Sequence, residues 1–224
     1  MNVREIIAEL DRREGIESDE QLCAWLDEKC REYEAAGAAD AAGIAALYNE
    51  LGGICRRNRW LERGEKAFLQ AKSVLEGAGI KDGNYASTLN NLAGLYRIGG
   101  RHELSAEMFR RCREIYESMP TLPVDVLASV YNNLGLLYLD MKNPGLALEE
   151  FEQAERMIAA IPDNHYVHAV TAGNSAFAHY RLGDILKAAE YMLKAANIAE
   201  KLPDGGEMRN NYLSLYRQLG GKEE

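Results

Sequence analysis

Residues 131–154 read YNNLGLLYLDMKNPGLALEEFEQA. Two helical patterns meet in this stretch. Leu134, Gly135 and Tyr138 recur at helical spacing, and Ala147, Phe151 and Ala154 do so again after a break. Apolar residues three and four apart form one stripe along a helix. The break runs from Asp140 to Pro144. Pro144 suits the first turn of the second helix, where its missing N–H leaves no hydrogen bond unmade. The stretch therefore predicts an antiparallel helix hairpin. Small residues such as Ala147 and Ala154 let the helices approach, and large ones fill the gaps.

Working outward, the same hairpin recurs. Leu51, Leu92, Leu134 and Ala176 form one series, and Cys55, Tyr96, Tyr138 and Tyr180 a second. Gly64, Ser105, Ala147 and Ala189 form a third, and Phe68, Phe109, Phe151 and Leu193 a fourth. Ala71, Cys112, Ala154 and Ala196 form the fifth, and every series steps by 41, 42 and 42. The breaks equivalent to MKNPG are RNRWLERG, IGGRHE and LGDILK. A hairpin of this size cannot bury its apolar face alone, so the units must stack.

The phrase with paired asparagines is also repeated. It reads LNNLAGLY at 89–96, YNNLGLLY at 131–138 and RNNYLSLY at 209–216. Asparagine is a mediocre helix former because its amide competes for the backbone. Repeated use in mid-helix points to packing or to something the helix must hold.

These motifs resemble the tetratricopeptide repeat, with Leu-Gly-x-x-Tyr in the first helix and Gly-x-x-x-x-Ala-x-x-x-Phe-x-x-Ala across the turn. The 42-residue period and the Asn-Asn-Leu-Ala/Gly-x-Leu-Tyr phrase are most similar to the kinesin light chain type of repeat. Gly64, the pair Ala176–Phe177 and the displaced prolines of MPTLPVD, IPDN and LPDG depart from the family pattern. The resemblance implies an all-α fold, a right-handed superhelical solenoid of antiparallel helix hairpins. Residues 38–204 are expected to hold four repeats. Residues 1–37 are expected to form an N-terminal helical cap or degenerate repeat, with helices over Val3–Glu14 and Asp19–Ala36. Residues 205–224 are expected to supply a capping helix over Met208–Leu219 and a frayed tail.

In the family, first-helix positions just before the Leu-Gly pair and just after the Tyr face the concave groove. Carried over, one column holds Asn49, Asn90, Asn132, Asn174 and Asn210, and the next Glu50, Asn91, Asn133, Ser175 and Asn211. The column after the Tyr holds Arg56, Arg97, Leu139, Arg181 and Arg217. The expected peptide-binding residues are Asn49, Asn90, Asn91, Asn132, Asn133, Asn174, Arg56, Arg97 and Arg181. An asparagine amide pairs with either backbone group of an extended peptide, and an arginine adds forked donors for carboxylates. Glu50, Ser175 and Leu139 interrupt the ladders, which centres the expected site on the second and third repeats, with Arg97 as its charged anchor. The alternative is that the asparagines only pack between repeats, since buried amides are usually internally paired.

Charge and composition exclude other classes. The chain has 224 residues, a formal charge of −9 and 47% hydrophobic residues. Nucleic-acid binding needs a concentrated basic face, which this composition does not favour. No apolar run reaches membrane-spanning length. The start MNVREIIAELDRREG lacks the order of a signal peptide, so a cytoplasmic location is expected. Cys23, Cys30, Cys55 and Cys112 contain no Cys-x-x-Cys pair and read as small core residues. His165 and His168 lie three apart near a helix start and read as solvated histidines rather than metal ligands. His102 opens HELSA, which is not a zinc-protease motif. Gly77–Gly83 reads as a turn rather than a phosphate loop. No cofactor and no catalytic activity are expected. The expected function is a non-catalytic adaptor that binds an extended peptide or a partner helix in the concave groove through these Asn and Arg side chains, with acidic or C-terminal segments favoured by the arginines. The alternative is a self-association module that forms a homodimer.

Overall fold

The computed structural model describes residues 2–35, 40–121, 124–161 and 164–221. Pro123, Pro162 and the tail beyond Gly221 lie outside the described residues, as do the last two positions of the expected N-terminal cap. The described residues form eleven helices and no strand. They fall into two compact units, Met1–Ser118 and Met119–Glu224.

The first unit holds α1 (Val3–Arg13), α2 (Asp19–Ala35), α3 (Ala41–Arg57), α4 (Leu61–Gly77), α5 (Gly83–Ile98) and α6 (His102–Glu117). α3 pairs with α4 and α5 with α6, and α5 packs on both α3 and α4. α1 and α2 both rest on α3 and touch each other only lightly. They occupy the places of a first and a second helix without closing into a full hairpin. The second unit holds α7 (Val124–Asp140), α8 (Pro144–Ile158), α9 (His165–Arg181), α10 (Ile185–Ala199) and α11 (Gly206–Gln218). α7 pairs with α8 and α9 with α10, α9 packs on both α7 and α8, and α11 covers α10.

One turn recurs at the bend of each full hairpin. The N–H groups of Trp60, Arg101, Asn143 and Asp184 donate to the carbonyls of Cys55, Tyr96, Tyr138 and His179 at 2.8–3.0 Å. The residue before each donor, Arg59, Gly100, Lys142 or Gly183, has φ between 58° and 81° and bonds back three residues. This is the Schellman arrangement, which satisfies the last carbonyls of a helix by letting one residue go left-handed. α11 ends the same way, with Gly220 at φ 87° and Gly221 bonded to the Tyr216 carbonyl. Asn143 and Asp184 then cap the second helix of their hairpins by accepting from the N–H groups of Leu146 and Lys187.

The repeated turn corrects the fourth repeat by one residue. The tyrosine place is held by His179, not Tyr180, and the last step is 41 rather than 42. Tyr180 is 52% exposed. The fully buried small residue of α10 is Ala188 rather than Ala189, and the large one is Met192 rather than Leu193. The doublets Ala188–Ala189, Met192–Leu193 and Ala195–Ala196 make both registers look apolar. Only the left-handed turn at Gly183, followed by the Asp184 cap, separates them.

Two of the hairpins are closed by a large side chain on a glycine. Phe68, Phe109 and Phe151 are fully buried. Phe68 lies against Gly52 and Phe151 against Gly135 so closely that a Cβ at either glycine would collide with the ring. Burying each phenylalanine contributes about 1.5–3 kcal/mol. The glycines are therefore required by proximity, although glycine in mid-helix costs about 1 kcal/mol.

Left-handed backbone is strained for a residue with a Cβ, by roughly 1–2 kcal/mol. Lys142→Gly should therefore raise the urea midpoint of unfolding, and Gly183→Ala should lower it, each by an equivalent of about 1 kcal/mol. Equal midpoints for Lys142→Gly and the native protein would show that the turn does not carry that strain.

Candidate functional site

The asparagines of the first helices form a bonded ladder between repeats. Asn49 Nδ2 on α3 donates to Thr88 Oγ1 on α5 at 2.8 Å. Asn91 Nδ2, one turn further along α5, donates to Asn49 Oδ1 at 3.4 Å. The second unit repeats this arrangement 83 residues later. Asn132 Nδ2 on α7 donates to Thr171 Oγ1 on α9, and Asn174 Nδ2 donates to Asn132 Oδ1, both at 3.0 Å. Asn132 is only 7% exposed. Thr88 and Thr171 are fully buried, and neither stands out in the sequence. The signal for them is a Thr-x-x-Asn pair on one helical face, recurring at 83 rather than 42 residues.

The placement of the expected site residues follows from the turn. Counted back from it, Asn49, Asn90 and Asn132 share one column, and Gly173 holds the fourth place. Asn91, Asn133 and Asn174 share the next column, so Asn174 is a partner of Asn132 rather than its equivalent. Asn90 and Asn133 are half-buried and also engaged. Each bonded ladder amide uses one N–H, which leaves its second N–H for another acceptor.

Arg56 and Arg97 occupy equivalent positions on α3 and α5. The same place in the second unit holds Leu139 and Tyr180, while Arg181 lies one residue beyond it, exposed at the last turn of α9. Arg97 is engaged, whereas the side chain of Arg56 makes no hydrogen bond or ion pair among the described residues. The Arg56 guanidinium rests on Gly94, where an added Cβ would sit 2.8 Å from Arg56 Nη1. Burial, and then the charge of Arg97, pull the Arg56 guanidinium below its ordinary pKa. It stays cationic, since arginine does not titrate in proteins. A cleft of about 480 Å³ opens beside it, lined by Glu14, Glu50, Gly53, Ile54, Arg56, Arg57, Arg59 and Ile98. Burial, and then the charges of Glu14 and Asp11, raise the Glu50 carboxyl above its usual value. Arg57 is held by Glu14 and Asp19 at 3.4 and 3.1 Å.

The equivalent face of the second unit is apolar. Phe177 and Tyr180 are exposed, and with Ala176, Met192, Leu215, Gln218 and Leu219 they line a cleft of about 320 Å³. Phe177 stands where Gly94 stands in the first unit. His168 is helical and half-buried rather than a solvated loop residue, with Nε2 3.0 Å from the Ile158 carbonyl. Among the described residues no three metal-ligating side chains cluster. Nor is any helix of the described residues long and apolar enough to cross a membrane.

Helix hairpins stacked with this turn, spacing and ladder define a helical repeat protein. The sequence matches the tetratricopeptide repeat family over residues 43–118 and 126–201, more than half of its length, and the chain belongs to that family. Comparison with curated proteins found no match. Among solved structures, BtubC (BKLC) from P. vanneervenii is similar with a TM-score of 0.76 at 16% identity, covering 91% of this chain and 85% of that one. Nearly identical TPR-like repeats of a kinesin light chain type from Podosopora anserina give 0.68 at 14%, covering 90% and 97%. A STAND signal-transduction ATPase with a tetratricopeptide repeat sensor from Pyrococcus horikoshii gives 0.69 at 20%, with 95% of this chain on 30% of that one. At these identities the likeness is one of fold.

Asn132→Ala leaves Thr171 and Asn174 each without a partner, at a cost of about 1–3 kcal/mol. The double variant Asn132→Ala/Asn174→Ala should cost less than the sum of its singles, because both remove one shared bond. Additive urea midpoints would remove the ladder as a structural element.

Proposed function

We propose that this protein is a non-catalytic adaptor that binds an extended, acidic or C-terminal protein segment along the face of its first helices. Tetratricopeptide repeats are generally protein-interaction modules. The observation that carries the finer reading is Arg56, a half-buried cation whose side chain has no partner among the described residues, beside a second arginine and an open cleft. A desolvated charge without a counterion is costly, and a carboxylate offsets that cost with a charge-assisted bond. Asn49 and Asn91, with Asn132 and Asn174 in the second unit, hold adjacent first helices at a set distance, and Asn90 and Asn133 stand beside them. The second N–H of each bonded ladder amide can donate to a peptide carbonyl. In this reading Arg56 and Arg97 select the ligand and the ladder positions it. Arg181 lies outside the arginine column and contributes only as an exposed charge.

The test is selection from a displayed random peptide library with native protein and with the Arg56→Gln/Arg97→Gln variant, both shown to be equally helical. Native protein should enrich Asp- and Glu-rich or free-carboxylate sequences. The variant should bind the best of them at least about ten-fold more weakly, the loss of roughly one charged hydrogen bond. Identical selected sequences and affinities would remove the arginines from the site.

A second reading, self-association, draws on the turn between α9 and α10. Leu182, Ile185 and Leu186 are exposed there, Leu186 by 86%. Three apolar side chains on one turn form a patch suited to burial against another chain. If it does so, light scattering at high concentration gives a mass above the 25.0 kDa of one chain, and Leu186→Asp restores the single-chain mass. A single-chain mass for native protein at every concentration dismisses this reading.

A further inference from the structure

Four cysteines are buried in the first unit, and two of them meet. Cys23 on α2 and Cys55 on α3 have their Sγ atoms 3.7 Å apart, in hydrogen-bond contact and fully buried. Cys30 and Cys112 are equally buried and hydrogen-bond to no other sulfur. Cys55 stands where later repeats carry Tyr96, Tyr138 and His179. The smaller side chain leaves room that the Cys23 thiol fills from the N-terminal helix pair. We propose that Cys23 and Cys55 are an oxidative modification site, a dithiol that a small-molecule disulfide converts into a bond joining α2 to α3.

The chemistry balances with that oxidant alone. A thiolate at Cys55 attacks one sulfur of the small disulfide, whose S–S bond breaks and releases one thiolate. Cys23 then loses its proton and attacks the Cys55 sulfur of the mixed disulfide, releasing the second thiolate. Two cysteine sulfurs are oxidised by two electrons, and the small disulfide is reduced to two thiols that take up the two protons. Thiolate attack through a mixed disulfide is the general route. The order of steps follows from local electrostatics. The hydrogen bond from Cys23 favours the thiolate of Cys55, and the positive charge of Arg63 adds to it, so the Cys55 thiol lies below the ordinary cysteine value. The Cys23 thiol lies above it, first through the same bond and then through burial. Burial, joined at Cys30 by the charges of Asp27 and Glu34, pushes Cys30 and Cys112 up to about 12, which leaves them poor nucleophiles.

Access comes from the N-terminal pair. α2 packs chiefly on α3 and touches α1 only lightly. A helix at the end of a stack is covered from one side only and opens more readily than an inner one, and lifting α2 uncovers both sulfurs together. Reclosure brings them back within reach of a bond of about 2.05 Å. The bond would latch the N-terminal pair to the first repeat one residue from Arg56.

The test treats the full chain with oxidised glutathione, alkylates remaining thiols under denaturant, and maps peptides without reduction. The expected result is a peptide linking Cys23 to Cys55, a mass lower by two hydrogens before alkylation, and alkylated Cys30 and Cys112. Dithiothreitol should restore four alkylatable thiols. In Cys23→Ser, Cys55 should stop at the glutathione adduct. Glutathione persisting on Cys55 of the native chain overturns the proposal, because Cys23 then fails to resolve it. Equal alkylation of all four cysteines after prolonged exposure overturns it too.

Discussion

A helix hairpin hides only part of its apolar surface, and the rest must be hidden by the next hairpin. That constraint shapes the whole protein. It explains why Phe68 and Phe151 press on glycines, since close helices leave no room for a Cβ. It also explains why α1 and α2 flank one side of α3 and α11 covers α10. Apolar stripes at the ends of each stack need a cover, and a helix with a polar outer side supplies one.

Apolar burial is non-directional, so it does not by itself choose a register. Two polar devices do. The Schellman turn stops each first helix at a defined carbonyl, and the left-handed residue within it sets where the second helix begins. The Asn–Thr ladder then fixes how one first helix sits beside the next. A buried amide that misses its partner loses a hydrogen bond without regaining water. The two units use the same ladder 83 residues apart, so the Asn–Thr contact recurs after two hairpins.

The same positions carry different chemistry in the two units. The first-unit face carries Arg56 and Arg97, with Glu14 and Glu50 lining the cleft beside Arg56. Leu139, Phe177 and Tyr180 make the second-unit face apolar. A shared scaffold thus presents two surfaces, because first-helix side chains outside the core stripe are free to vary without disturbing the stack. The paired thiols of Cys23 and Cys55 show the complementary case of a core position changed in one repeat, whose vacated volume a neighbouring helix fills.

Much of this was legible in the chain itself. Leu134, Tyr138, Ala147, Phe151 and Ala154 define hairpins because helical periodicity is a local property, and a shared step of about 42 extends it to four units. Arg56 and Arg97 were legible from the same counting. Three things were not. Register in the fourth repeat was hidden by apolar doublets from Ala188 to Ala196, where local patterning fits either choice and a turn decides. Thr88 and Thr171 were hidden because their partners lie 39 residues away on another helix. The contact of Cys23 with Cys55 was hidden for the same reason, since 32 residues separate them. Sequence alone determined which residues form helices and, outside the fourth repeat, which faces they bury, because those follow from spacing along one chain segment. Tertiary structure decided which polar groups meet, because a hydrogen bond between helices depends on how their axes are set side by side.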